Sequence, residues 1–168
     1  GLISLFFAIW NYAWFALLFS KQDGNIAIFW SRLLNLGATV IPIIYLHWIL
    51  TVLNLNKKKK YLLYIGYLIT SLFVLFSFSS LYIKGVHSIS FFPFWPTAGP
   101  FYKWFLLFGY FLMVGYALYK LIEGFKKSEG EKKYQITYII IGSILGFGGG
   151  ATNFPLMYGF NILPSLTI

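Results

Sequence analysis

The long uncharged stretches limit this chain more than anything else in it. Leu2–Phe19 holds no Asp, Glu, Lys or Arg, and four more apolar runs follow: Ile26–Leu55, Tyr61–Phe78, Phe101–Phe125 and Tyr134–Gly150. Such runs are too long for the core helices of a small soluble domain, and they suit a hydrocarbon layer roughly 30 Å thick. Charged residues make up 10% of the chain and apolar ones 59%, so a soluble fold would lack the charges to cover its surface. The runs predict an all-α fold, because a helix satisfies its own backbone in lipid. They give a polytopic membrane helix bundle with five spans and the start of a sixth at Ser165, one transmembrane domain over residues 1–168. Aromatic residues, at 23%, fit that solvent, since Trp and Tyr gather at bilayer interfaces.

The segments between the runs differ in kind. Lys21 to Asn25 reads as a turn. Ile26–Leu55 would extend about 45 Å as a helix, longer than the hydrocarbon layer, so tilt or protrusion is expected, with a kink at Pro42. In Leu81–Pro100, Pro93, Pro96 and Pro100 with Gly85 and Gly99 bar a regular helix. Phe91, Phe92, Phe94 and Trp95 suit a loop on the membrane surface or folded over the bundle mouth. Ala151–Pro164 is a second non-spanning loop. The sequence has no Met at position 1 and stops within an apolar segment, so it reads as an excerpt of a longer protein.

Charge sets the expected orientation. Lys57–Lys60 and the five Lys between 120 and 133 lie on one side; Lys21, Lys84 and Lys103, with Arg32 inside a helix, lie on the other. Positive residues favour the cytoplasmic side. Turns 56–60 and 126–133 are therefore expected in the cytoplasm of a multi-pass protein of the cell inner membrane, and loops 81–100 and 151–164 outside. The net charge of +9 is read as this bias, not as a nucleic-acid footprint. Lys57–Lys60 could also meet anionic headgroups of the bilayer.

Catalysis finds little to work with. Asp23 sits in one turn, Glu123, Glu129 and Glu131 in another, and no carboxylates pair at membrane depth. His47 and His87 lie on different elements, there is no Cys, and Gly148–Gly150 lacks the context of a phosphate loop. No catalytic residue, metal ligand or cofactor is assigned.

Three groups remain as candidate sites. On the second helix, Arg32, Asn35, Thr39, His47 and Asn54 fall within about 120° at 100° per residue, a polar stripe on an apolar helix. It fits a polar cavity or relay, and it fits interhelical hydrogen bonding with Arg32 snorkelling outward. Gly142, Gly146 and Gly150 share a face, the spacing that lets membrane helices approach closely. In the outer loops, His87, Trp95, Tyr102, Asn153 and Tyr158 combine aromatic faces with a few polar groups. These suit a small apolar or amphipathic ligand, or an interfacial aromatic belt.

Several motifs carry a family resemblance. The second helix reads Trp30-Ser31-Arg32-Leu33, then Gly37, Pro42 and His47-Trp48; Gly99-Pro100-Phe101-Tyr102 precedes a span. Glu131-Lys132-Lys133-Tyr134-Gln135-Ile136 leads to Tyr138 and Gly142, and Asn153, Pro155, Gly159 and Pro164 follow the glycine series. In order and spacing the chain resembles the N-terminal seven-helix membrane region of bacterial sensor histidine kinases. The resemblance implies that the first helix here is the family's second and that the helix after Pro164 is its seventh. It implies an input module of a two-component signalling protein, with an effector downstream and a homodimer formed through that cytoplasmic part. Neither His47 nor His87 would then be a phosphoacceptor. A fragment of a transporter or other polytopic membrane protein is the alternative, although no internal repeat or buried acid partner for Arg32 supports a transporter.

Overall fold

The computed structural model describes residues 1–20, 23–89 and 92–160. The elements run α1 (Leu2–Phe19), α2 (Gly24–Val52), α3 (Lys60–Phe76), β1 (Ile83–Ile89), β2 (Phe92–Ala98) and α4 (Tyr102–Trp104). A π-helical stretch (Phe105–Phe111), α5 (Leu112–Lys126), α6 (Gly130–Ala151) and α7 (Asn153–Met157) complete them. Among the described residues four helices are long and apolar enough to cross a membrane: Leu2–Phe19, Gly24–Val52, Tyr102–Lys126 and Gly130–Met157. Helix α3 is apolar but shorter, at 17 residues. The expected start of a sixth helix at Ser165 lies outside the described residues.

Helix α2 is the axis of the bundle. In its most apolar window 61% of residues are buried, against 11% in α1, so α2 is surrounded and α1 is peripheral. Asp23 caps its start by accepting from the backbone nitrogen of Asn25 at 2.7 Å. It ends three residues before the expected Leu55. Asn54 takes a φ of 56°, and the Leu55 amide reaches back to the Leu50 carbonyl, a left-handed cap that asparagine tolerates. Pro42 sits buried inside the helix.

Two apolar cores hang on this axis. One joins Ile43, Leu46, Ile49 and Leu50 of α2 to Met113, Ala117 and Leu121 of α5 and to Leu63 and Ile136. The other, at the hairpin end, is aromatic, with Tyr82, Trp95, Tyr102, Phe105 and Tyr110 packed on Leu156 and Met157 of α7. Helix α1 approaches α2 closely at Gly37. A Cβ there would stand 3.2 Å from the Phe6 carbonyl oxygen and the Trp10 amide nitrogen.

The segment expected as an irregular loop is a β-hairpin, which amends the all-α expectation. Strands β1 and β2 pair antiparallel, with Ile83 opposite Ala98 and His87 opposite Trp95, and the register is interrupted twice. In a two-stranded ribbon each strand has one free edge, so a proline there need not remove a ladder bond. The hairpin closes through the Gly99 amide on the Tyr82 carbonyl at 2.8 Å. Gly99 is obligatory at this point, because a Cβ would collide with the Leu81 carbonyl. The second loop also begins more regularly than expected: Asn153–Met157 forms a short helix that packs on β2.

Candidate functional site

Helix α1 packs on α2 and touches β2, while α6 packs on α5 and α7. Between the α1 and α6 faces lies a cavity of about 350 Å³. Its lining includes Trp10 and Trp14 of α1 and Asn35, Pro42, Tyr45 and Trp48 of α2. Gly142, Ser143, Gly146 and Phe147 of α6 form the opposite wall. Trp95 and Pro96 of the hairpin, Tyr102, and Asn153 and Phe154 of α7 close the end nearest the hairpin. Among the described residues the lining contains no Asp, Glu, Lys, Arg or His.

The hairpin end is a network of rings. Trp14 meets Trp95 edge-on at 4.9 Å between centroids, and Tyr110 meets Phe154 edge-on at 4.7 Å. Phe105 and Tyr110 both reach the cavity because the helix is π-helical between them. Hydrogen bonds there close rings five residues apart, so these two side chains share a face. Such local widening is frequent at functional sites.

The polar stripe divides on folding. Asn35 and Thr39 are buried, at 2% and 1% exposure, and only Asn35 borders the cavity. Thr39 donates its single hydroxyl hydrogen to the Asn35 carbonyl at 2.6 Å, so Tyr82 is the donor in the bond joining their hydroxyls. Burial holds the Tyr82 phenol well above the usual tyrosine range, which keeps that donor protonated. Arg32 turns to the hairpin and donates from Nη2 to the Ile83 carbonyl at 3.5 Å, a long contact. His47 leaves the stripe altogether. It faces α3, where Nδ1 lies 2.8 Å from the Tyr67 hydroxyl, and it borders a separate hollow with Asn56, Lys57 and Lys60. Asn54 is exposed beyond the helix end.

The glycine seam is open. A Cβ added at Gly142 or Gly146 would meet nothing within 4 Å, and one at Gly150 would meet only the Tyr110 hydroxyl, at 3.8 Å. The tight helix contact expected of these residues is therefore not formed among the described residues. Their missing side chains make room for the cavity instead, and the close approach is at Gly37.

Of the outer-loop candidates, Trp95, Tyr102 and Asn153 converge on the cavity. His87 and Tyr158 do not line it. His87 contacts Thr97 through Nδ1 at 2.8 Å, and Tyr158 is 44% exposed. Sequence reading missed Trp10, Tyr45, Tyr110, Ser143 and Phe147. Their signal was present only as helical periodicity on faces whose partners were unknown. Among the described residues no group of His, Cys or acidic side chains could hold a metal ion.

A family model for the N-terminal seven-transmembrane region of histidine kinase matches residues 1–167. The chain belongs to this family. No curated protein and no solved structure matches it. The resemblance read from the Trp30–Trp48 helix and the Gly99–Tyr102 motif thus holds over nearly the whole chain. This sensor region is a membrane module with a lipid bilayer as its surroundings, and it is not the catalytic domain of a kinase.

Proposed function

We propose that this sensor region is the input module of a bacterial histidine kinase and that the cavity between α1 and α6 is where its stimulus acts. In this reading a small ligand entering the cavity favours one of two bundle arrangements. It shifts output only as far as it binds the two arrangements unequally. The shift passes inward through the chain that follows α7 to a kinase dimer. One observation carries the reading: a single apolar cavity is bordered by the outer hairpin, by α7 and by the helix walls. Anything that fills it touches both the outer cap and the spans.

The proposed topology has five spans, with α3 as the short one. At 1.5 Å per residue α3 is about 26 Å long, which a modest thinning of the bilayer accommodates. Turns 56–60 and 126–133 face the cytoplasm, and the hairpin and α7 face outward, as the lysine distribution supports.

The test is the autophosphorylation rate of the full-length kinase in membranes, with Trp95→Ala and Asn153→Ala against wild type at matched membrane levels. Either substitution should change basal or stimulated output about fivefold or more, within the usual span of allosteric coupling. Unchanged output from both would remove the cavity from the mechanism.

A further inference from the structure

The shape and chemistry of the cavity narrow what can enter it. It extends along α2 from Asn35 to Trp48, about 20 Å at 1.5 Å per residue. A volume of about 350 Å³ drawn out over that length makes the cavity elongated, not globular. The cavity is an elongated slot with an almost wholly apolar lining. Phe7 and Trp48 border it yet are 41% and 43% exposed, so it opens sideways, toward lipid in a membrane.

Polarity is unequal along the slot. At the α6 wall the polar groups are used internally. Tyr45 donates to the Ser143 hydroxyl, Ser143 donates to the Ile139 carbonyl, and Tyr110 donates to the Phe147 carbonyl. The outer end keeps free capacity. Tyr102 is 1% exposed, and neither its hydroxyl nor the Asn153 amide has a side-chain hydrogen-bond partner among the described residues. With no ionisable acid or base in the lining besides tyrosine, a charged head would be buried without a counter-charge.

We infer that the slot takes an elongated amphiphile with a hydrocarbon body and one uncharged hydrogen-bonding head. The body lies along the glycine face of α6. The head sits at the outer end, against Tyr102 and Asn153. The molecule arrives through the bilayer, past Phe7 and Trp48. This rests on the proposed role of the cavity and adds the class of ligand to it.

The slot carries its own reporters, Trp10, Trp14, Trp48 and Trp95. The full-length protein in phosphatidylcholine nanodiscs is titrated with 11-bromo-1-undecanol, whose bromine quenches nearby tryptophan. The expected result is a saturable quench that 1-undecanol relieves. The carboxylate analogue 11-bromoundecanoate should need at least about tenfold more for half-saturation, because its head is charged. Gly146→Leu, which grows into open space and so preserves the fold, should abolish the saturable part. Three results would each overturn the inference: a quench that never saturates, equal affinity for the carboxylate, or a quench by brominated phosphatidylcholine that 1-undecanol does not relieve. The last would mean that a bilayer acyl chain fills the slot. If binding is absent while Gly146→Leu still alters kinase output, the ligand class is wrong and the sensor role of the cavity survives.

Discussion

Tyr45 of α2 donates its hydroxyl hydrogen to Ser143 of α6 at 2.6 Å, across the inner part of the cavity. Ser143 passes its own hydrogen to the Ile139 carbonyl, so the pair ties the central helix to the backbone of α6. The Tyr45 ring also packs on Phe147, with centroids 4.6 Å apart. Helix α6 otherwise rests on α5 and α7, which makes this tie a principal restraint on the width of the cavity.

Breaking the tie should loosen α6 without unfolding the bundle. Hydrogen bonds between membrane helices average about 0.6 kcal/mol and reach about 1.7. Tyr45→Phe keeps the ring contact and should destabilise by about that amount. Ser143→Ala should cost no more, and the double variant should show coupling. Unfolding titrations in mixed micelles measure all three. A loss above about 3 kcal/mol for Tyr45→Phe would mean that the hydroxyl does more than this bond.

Two glycines should respond oppositely to the same change. Gly37→Ala places a Cβ 3.2 Å from the backbone of α1, which must then retreat, at a cost of about 1–3 kcal/mol. Gly146→Ala meets open space and gains helix propensity, so it should be neutral or stabilising by up to about 1 kcal/mol. Thermal or denaturant stability of the two variants decides the point. Equal destabilisation would place a second helix contact on the Gly146 face.

The hairpin depends on the Trp95 ring more than on its nitrogen. Trp95 is 3% exposed, and its Nε1 is buried with no partner among the described residues. Trp95→Phe removes an unsatisfied donor along with some ring area, so the net change should stay within about 1 kcal/mol. Trp95→Ala also loses the contacts to Trp14 and Phe92, at about 3–5 kcal/mol. Limited proteolysis within 83–98 should report the difference, with faster cleavage in the alanine variant alone.

The fold was legible where solvent dictates it. Uncharged length located the long helices to within a few residues, and the Asn35–Thr39 part of the stripe does face inward. The hairpin was hidden because Pro93 and Pro96 argue against strands in general, while a two-stranded ribbon exempts its free edges. The glycine seam was misplaced for a related reason. Spacing shows that Gly142, Gly146 and Gly150 share a face, but only the positions of neighbouring helices show whether that face is filled. His47 was drawn into the stripe by angle alone, and α3 turned out to lie on its side of α2. The cavity itself could not be read from the sequence, since it joins residues from Ile3 to Met157.

Sidedness is open to direct measurement. Reporter fusions at Lys58 and His87 should give opposite compartments, with Lys58 cytoplasmic. The same compartment for both would mean that α3 does not cross.

The measurement that bears most directly on the cavity is kinase output when it is plugged. Full-length kinase carrying Gly146→Leu, which fills the slot, is compared with Ile144→Leu, an equally modest change at a residue 56% exposed on the same helix. Autophosphorylation should shift about fivefold or more in the first variant and lose its response to 1-undecanol, while the second behaves as wild type. Identical output and response in both variants would contradict a sensory role for the cavity.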